Sequence, residues 1–181
     1  MTDQFDTIPE IAFRPMTHND FALLERWLHA PHVTRWWGEP RDAAEIEQHY
    51  GPCLDGTDPT RLYLILAGGR PVGMMQCYRH DDNPEWDRTV GIPRAAGVDY
   101  FIGEPDIIGR GIGSRAIAHF SALVFAAYPD LDAIVAAPQA ANRASCRALE
   151  KAGYALAEVR TLESDDPMDA GPSAIYMLWR S

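Results

Sequence analysis

The chain opens on alternation. Residues Ile11 to Pro15 switch between apolar and polar with a period of two, which predicts a short strand. Thr17, with Asp20 three positions on, reads as the start of a helix with a capping-box-like acid. Phe21, Leu24, Trp27 and Leu28 then recur at helical spacing, and the helix is expected to end near His29 and Pro31. Val33 to Pro40 is rich in aromatics without a period and reads as a loop. Asp42 starts a second helix carrying Ile46, His49 and Tyr50, stopped by Gly51-Pro52. Arg61 to Ala67 reads as a strand, Gly68-Gly69 as a tight turn, and Pro71 to Tyr78 as the hairpin partner. Residues 79 to 94 are polar and turn-rich, and a loop of that length inside a compact domain points to function. Ala96 to Ile102 is a strong strand. Gly109, Gly111 and Gly113 follow, then a helix with Ile117, Phe120 and Val124 on one face. Leu131 to Ala136 is the next strand, and Asn142 caps a helix that Gly153 ends. Tyr154 to Arg160 and Ala174 to Trp179 close the chain as two strands joined by an acidic, Pro-containing hairpin. This order predicts a mixed α/β or α+β domain on a single sheet.

Length and composition sharpen that picture. A chain of 181 residues suits one domain, taken as 1–181 with a core over roughly 11–179. No apolar run reaches the roughly 18 residues that a spanning helix needs. The start, MTDQFDTIPE, places acids where a signal peptide would be basic, and three cysteines at 53, 77 and 146 form no CxxC pair and no even disulfide framework. A cytoplasmic protein with reduced thiols is the expectation. The formal charge of −10 disfavours nucleic acid and anionic membranes and favours a cationic partner. No His/Cys/Asp spacing resembles a metal site.

The chemistry concentrates in Val98 to Ser114, where a strand runs into a glycine-rich turn that opens a helix. Glycines let backbone N–H groups approach an anion closely, and a helix N-terminus adds about half a positive charge. This is a phosphate or pyrophosphate cradle. It has neither the GxxxxGK[ST] of a P-loop nor the GxGxxG spacing of a dinucleotide fold.

Two stretches together carry a resemblance. Arg110-Gly-Ile-Gly113 after a strand, followed by Asn142 and then Glu150-Lys-Ala-Gly-Tyr154, resembles the GCN5-related N-acetyltransferase superfamily. Trp27-Leu-His-Ala-Pro-His32-Val-Thr-Arg-Trp36-Trp37-Gly38 resembles a segment of the aminoglycoside 6′-N-acetyltransferases. Gly97-Val-Asp99, Trp86 and Tyr176-Met177 also fit, so the similarity runs over roughly residues 11 to 179. It implies a central, mostly antiparallel sheet with splayed strands and about four flanking helices. It also implies acetyl-coenzyme A as co-substrate, with its pyrophosphate on Ile108, Gly109, Arg110, Gly111, Ile112, Gly113 and Ser114, and with Phe101, Ile102 and Asn142 beside it. Ile108 stands where the family's motif has a Gln or Arg, so that side chain cannot assist.

Asp99 is the expected catalytic residue. Alternation puts it on the face opposite Val98 and Tyr100. A carboxylate there can anchor an ammonium and then accept its proton. His32, Trp37, Trp86 and Glu104 complete the expected acceptor site, since aromatic faces pack on sugars and attract ammonium groups. Asp81, Asp82, Glu85 and Asp87 crowd the nearby loop. Ala137-Pro138 and Ile92 depart from the acids that relatives carry. Leu149 replaces the tyrosine that commonly reprotonates the leaving thiolate, which leaves Tyr154, Tyr100 or water, or a thiolate that departs unprotonated, since a thiol pKa is about 8.5. Cys146 has no nearby histidine, which argues against a thiol nucleophile. The expected function is N-acetylation of a cationic amine, foremost an aminoglycoside-like amino sugar, in a ternary complex. A siderophore or small-amine acyltransferase and a degenerate coenzyme A sensor are the alternatives, and the protein is expected as a monomer or homodimer.

Overall fold

A computed structural model describes residues 9–38, 42–84, 90–162 and 171–181. The expected Trp86, Glu85 and Asp87 and the acidic hairpin at 163–170 fall outside these. One seven-stranded sheet runs through the chain in the order β1-β2-β3-β4-β5-β7-β6. Its strands are β1 (Ile11–Pro15), β2 (Arg61–Ala67), β3 (Arg70–Arg79), β4 (Ala95–Ile102), β5 (Ala133–Ala136), β6 (Ala155–Thr161) and β7 (Pro172–Trp179). Every neighbouring pair is antiparallel except β4 and β5. Among the described residues the helices are α1 (Phe21–Leu28), α2 (Pro31–Trp37), α3 (Ala43–Asp55), α4 (Ile112–Ala127) and α5 (Arg143–Lys151).

Three local expectations need correction. The aromatic stretch expected as a loop is helix α2. Pro31 sits at its first position with φ preset for a helix, Val33 is buried, and Gly38 ends it at φ 61°. Seven residues with adjacent tryptophans show too little period to be read. Gly51-Pro52 does not stop α3, which runs on to Gly56 at φ 77°. A proline in the last turn removes a single backbone bond, and its carbonyl accepts from the amides of Thr57 and Asp58, both at 3.0 Å. Thr17 and Asp20 do form a capping box, but over a 3₁₀ turn (His18–Asp20) that leads into α1.

The core lies on both faces of the sheet. Ile112, Ile117, Phe120 and Val124 of α4 and Leu149 of α5 pack with Val98 and Tyr176 on one face. Leu24, Trp27 and Leu28 of α1 and Ile46 and Tyr50 of α3 pack with Leu64, Met74 and Phe101 on the other. The parallel pair is short: Ala95, Ala96 and Gly97 meet Ala133, Ile134 and Val135, and beyond Gly97 β4 continues without β5. The sheet opens there.

The end of β4 is pinned from the α1 side. Gly103 has no side chain because the Trp27 ring lies over it; a Cβ there would stand 2.2 Å from Trp27 Cγ. That placement lets Trp27 Nε1 donate to Glu104 Oε1 at 2.9 Å. Gly103→Ala would force the buried indole aside, and overpacking of this kind costs about 1–3 kcal/mol. Urea unfolding should show the midpoint falling with an unchanged slope. A wild-type midpoint would show that the ring is not held there.

Candidate active site

The opening between β4 and β5 is a cavity of about 690 Å³. His32, Trp37, Asp99, Phe101, Ile102, Ile108, Gly109, Gly111, Ile112, Gly113, Ser114 and Asn142 all line it. Arg110 and Glu104 are not in the lining. Gln76, Tyr78, Trp36, Tyr100, Ser145, Arg147 and Lys151 also line it, beyond the residues expected as the site. Gln76 and Tyr78 depend on the register of β3 against β4, which has no local sequence signal. Arg147 and Lys151 were legible as an i, i+4 pair on the helix that Asn142 caps.

Pairing parity decides which backbone groups face the opening. Arg94 O accepts from Asp132 N on the β5 side, while Gly103 N donates to Val72 O on the β3 side. Strand residues alternate in this respect. The amides of Tyr100 and Ile102 therefore face the opening beyond the Gly97–Val135 pair, and that of Phe101 faces β3. The Ile102 carbonyl is taken by His32 Nε2–H at 2.9 Å, which ties α2 to the end of β4.

The cradle follows directly. Gly109 and Gly111 adopt φ 79° and 77°, the left-handed region that glycine enters without cost. The space where a Cβ would sit is open at both. Gly111 caps α4, whose first amides have no partner within the helix. A backbone surface of this kind, with the positive end of a 16-residue helix behind it, fits a phosphate group.

On the other face of β4 the Asp99 carboxylate accepts from Gln76 Nε2 at 2.9 Å, across the strand pair that sets 76 opposite 99. Trp37 stands near, its indole N–H on Tyr50 OH at 3.1 Å and its ring 4.9 Å from that of Phe101. Asp99 is the one carboxylate among the described lining residues. The acidic balance of the chain lies mostly elsewhere, so a carboxylate-lined cleft is not what the described residues build.

Two residues expected to take part, and Cys146, which was not, lie away from the Asp99 side of the cavity. Glu104 is 7% exposed and accepts from Trp27, Arg26 and Arg70, an anchor rather than an acceptor contact. Tyr154 is buried behind α4 with its hydroxyl on Ser121 Oγ at 2.7 Å. Cys146 is buried in the core and is not in the lining. Tyr100 does face the cavity, its hydroxyl 2.7 Å from Ser145 Oγ, and burial pushes its pKa well above the ordinary phenol value. Among the described residues no group of His, Cys, Asp and Glu could hold a metal, and no helix is long and apolar enough to cross a membrane.

The acetyltransferase (GNAT) domain family matches residues 16–162, most of the chain. The chain belongs to the GNAT acetyltransferase family. It is 28% identical over 148 residues to aminoglycoside N(6′)-acetyltransferase type 1 of Klebsiella pneumoniae, covering 80% of this chain and 73% of that protein. The namesake from Serratia marcescens matches to the same extent. Among solved structures, aminoglycoside acetyltransferase AAC(6′)-Ib in complex with coenzyme A superposes with a TM-score of 0.82 at 25% identity, over 94% of this chain and 95% of that one. The same enzyme with paromomycin and acetyl-coenzyme A gives 0.81 at 26% identity, over 94% of each chain. This acetyltransferase thus has the GNAT fold and an aminoglycoside 6′-N-acetyltransferase-like architecture.

Glu104 generates a pH prediction for this acetyltransferase. Burial works against its charge, but the Trp27 bond and the Arg26 and Arg70 guanidiniums outweigh it and hold the pKa below the usual range. A carboxylate depressed by folding stabilises above its unfolded value of about 4.3 and loses that contribution as pH falls through the folded value. Glu104→Gln is expected to lose about 1.5–3 kcal/mol at pH 7, the scale of hydrogen bonds to a charged group. The gap to wild type should narrow below about pH 4. Denaturation at pH 7 and pH 3 reads it; a gap that stays constant would mean the carboxylate carries no folding-linked charge.

Proposed function

We propose that this acetyltransferase moves the acetyl group of acetyl-coenzyme A to a primary amine of an amino sugar of the aminoglycoside class, at the 6′ position. The observation that carries it is the placement of Asp99. It sits on the acceptor face of β4 where the sheet parts, and the phosphate cradle lies at the end of the same strand. A thioester held along the open edge of β4 would present its carbonyl to the amides of Tyr100 and Ile102. Trp36, Trp37 and Tyr78 wall the acceptor side. Relatives and solved structures named for aminoglycoside acetylation support the acceptor class.

The amine nitrogen attacks the thioester carbonyl, and hydrogen bonds at the developing oxyanion lower the barrier. Asp99 holds the ammonium and takes the proton the nitrogen sheds, directly or through water. The carbon–sulfur bond breaks, an amide forms, and the thiolate leaves. Tyr100, kept protonated, is the phenol lining the cofactor side, where Leu149 has no proton to give. His32 acts through Ile102 by fixing α2 against β4. In this reading residues 1–181 form one domain that works in the cytoplasm as a monomer or homodimer, and Trp86 adds to the acceptor wall. A second reading, a small-amine acyltransferase, is favoured by one observation: Ala137 lines the cavity with a methyl group, and Asp99 is the one described carboxylate there.

Asp99→Asn keeps the shape and removes charge and basicity. A general base is worth about 10²–10⁴-fold in rate, so kcat/KM should fall at least roughly 10²-fold while coenzyme A binding stays intact. Thiol release across a panel of aminoglycosides and simple amines measures this and separates the two acceptor classes. Near-wild-type turnover of the variant at all pH values would remove Asp99 from the mechanism. For the cradle, Gly111→Asp adds a Cβ at a positive φ and a negative charge at the helix start. Calorimetry should show acetyl-coenzyme A affinity reduced more than roughly tenfold, the scale of one lost charge-assisted contact; unchanged affinity would place the phosphates elsewhere.

A further inference from the structure

A second cavity, of about 230 Å³, lies between α4 and the strands β2 and β3, and it shares no lining residue with the active-site cavity. Cys77, Phe120 and Val124 line it and are buried, and Leu123, half exposed, lines it too. Its aromatic lining is set edge to face: the Tyr63 and Phe120 rings meet at 5.3 Å with 70° between their planes. The thiol in this wall is not a nucleophile. Burial pushes the Cys77 pKa up to about 11, so its neutral S–H counts with the apolar surface.

One charge stands at this surface. Arg61 lines the cavity, pairs with Cys77 across the β2–β3 ladder and holds its guanidinium 5.0 Å over the Tyr128 ring. Arg79 lies over the same ring at 5.4 Å, but Asp130 takes that guanidinium. Among the described residues Arg61 has no carboxylate or carbonyl partner. An apolar pocket with a single uncompensated cation selects its ligand by both features.

We propose that this cavity binds a small aromatic monocarboxylate, with its ring among Tyr63, Phe120 and Leu123 and its carboxylate on Arg61. The volume suits one ring, since an apolar cavity of about 150 Å³ accepts benzene. A further ring extends the edge-to-face packing already present. The parallel N–H donors of a guanidinium match the two oxygens of a carboxylate. Apolar walls exclude a multiply charged phosphate, and Arg61 excludes an ammonium ligand. The acetyl transfer proposed above uses none of these residues.

Benzoate and benzyl alcohol, one ring with and without the charge, are the probes. Titrated into protein with labelled methyl groups, benzoate is expected to give saturable NMR shifts at Leu123, Val124 and Ala127. It should bind at least roughly fivefold more tightly than benzyl alcohol, the scale of an ion pair near solvent. Arg61→Gln, at an exposed position, should bring that ratio toward one while benzyl alcohol still binds, which also reports that the cavity and the fold persist. Leu123→Glu sets a carboxylate against the ligand and should abolish benzoate binding while benzyl alcohol binds. The site is overturned by the absence of saturable shifts at these methyls, by equal wild-type affinities, or by an Arg61→Gln protein that keeps the preference. If Arg61→Gln loses both ligands, Leu123→Glu decides: benzoate lost with benzyl alcohol retained keeps the proposal, and any other result ends it.

Discussion

Where β4 leaves β5 after Gly97, one strand keeps its β3 ladder and loses its other neighbour. Buried backbone amides without partners are costly, and an open sheet edge inside a domain is tolerated where something else supplies the hydrogen bonds. In this acetyltransferase the groups that face the opening belong to Tyr100 and Ile102, and the structure answers one of them itself with the His32 ring on Ile102 O. The rest face a cavity shaped to receive an extended polar chain. The opening frees one edge of β4, while Asp99 stands on one of its two faces and Tyr100 on the other. A single strand can then carry a binding surface on its edge and a carboxylate on its face.

Holding such a strand open requires that its end be fixed from elsewhere. The Glu104 carboxylate does this by gathering Trp27 and Arg26 of α1 with Arg70 at the start of β3. Arg70 also reaches Asp106, in the turn that leads to the cradle. The N-terminal helices, the β2–β3 hairpin and the glycine loop therefore share one ion-pair cluster, partly buried and so less screened than a surface pair. The position of Gly109 and Gly111 relative to Asp99 depends on that cluster, although none of its carboxylates lines the cavity.

Much of this was legible along the chain because the signals are local. The Gly68-Gly69 turn, the cap at Asn142, the stop at Gly153 and the glycine loop after a strong strand are each fixed by a few neighbouring residues. The glycine loop and the strand that carries Asp99 were readable for that reason. What could not be read depends on contacts distant in sequence. Gln76 meets Asp99 only through strand register, and Glu104 looked like a site acid because nothing near it in sequence announces Arg26 or Arg70. Helix α2 was missed because seven residues hold too little period, and its evidence is tertiary: Val33 buried and His32 bonded seventy positions away.

The same distinction bears on charge. A net balance of −10 predicts a long-range field, and it favours a cationic acceptor drifting toward the molecule. It says nothing about which groups line the cavity, and the described lining pairs one carboxylate, Asp99, with Arg147 and Lys151. Screening over about 8–10 Å at physiological salt makes these local charges, not the total, decide what stays bound. Asp99 and Trp37 line the cavity on the side of α1 and α3, and Arg147 and Lys151 line it from α5. The cavity is thus polarised across β4, with a carboxylate on one side and two cations on the other.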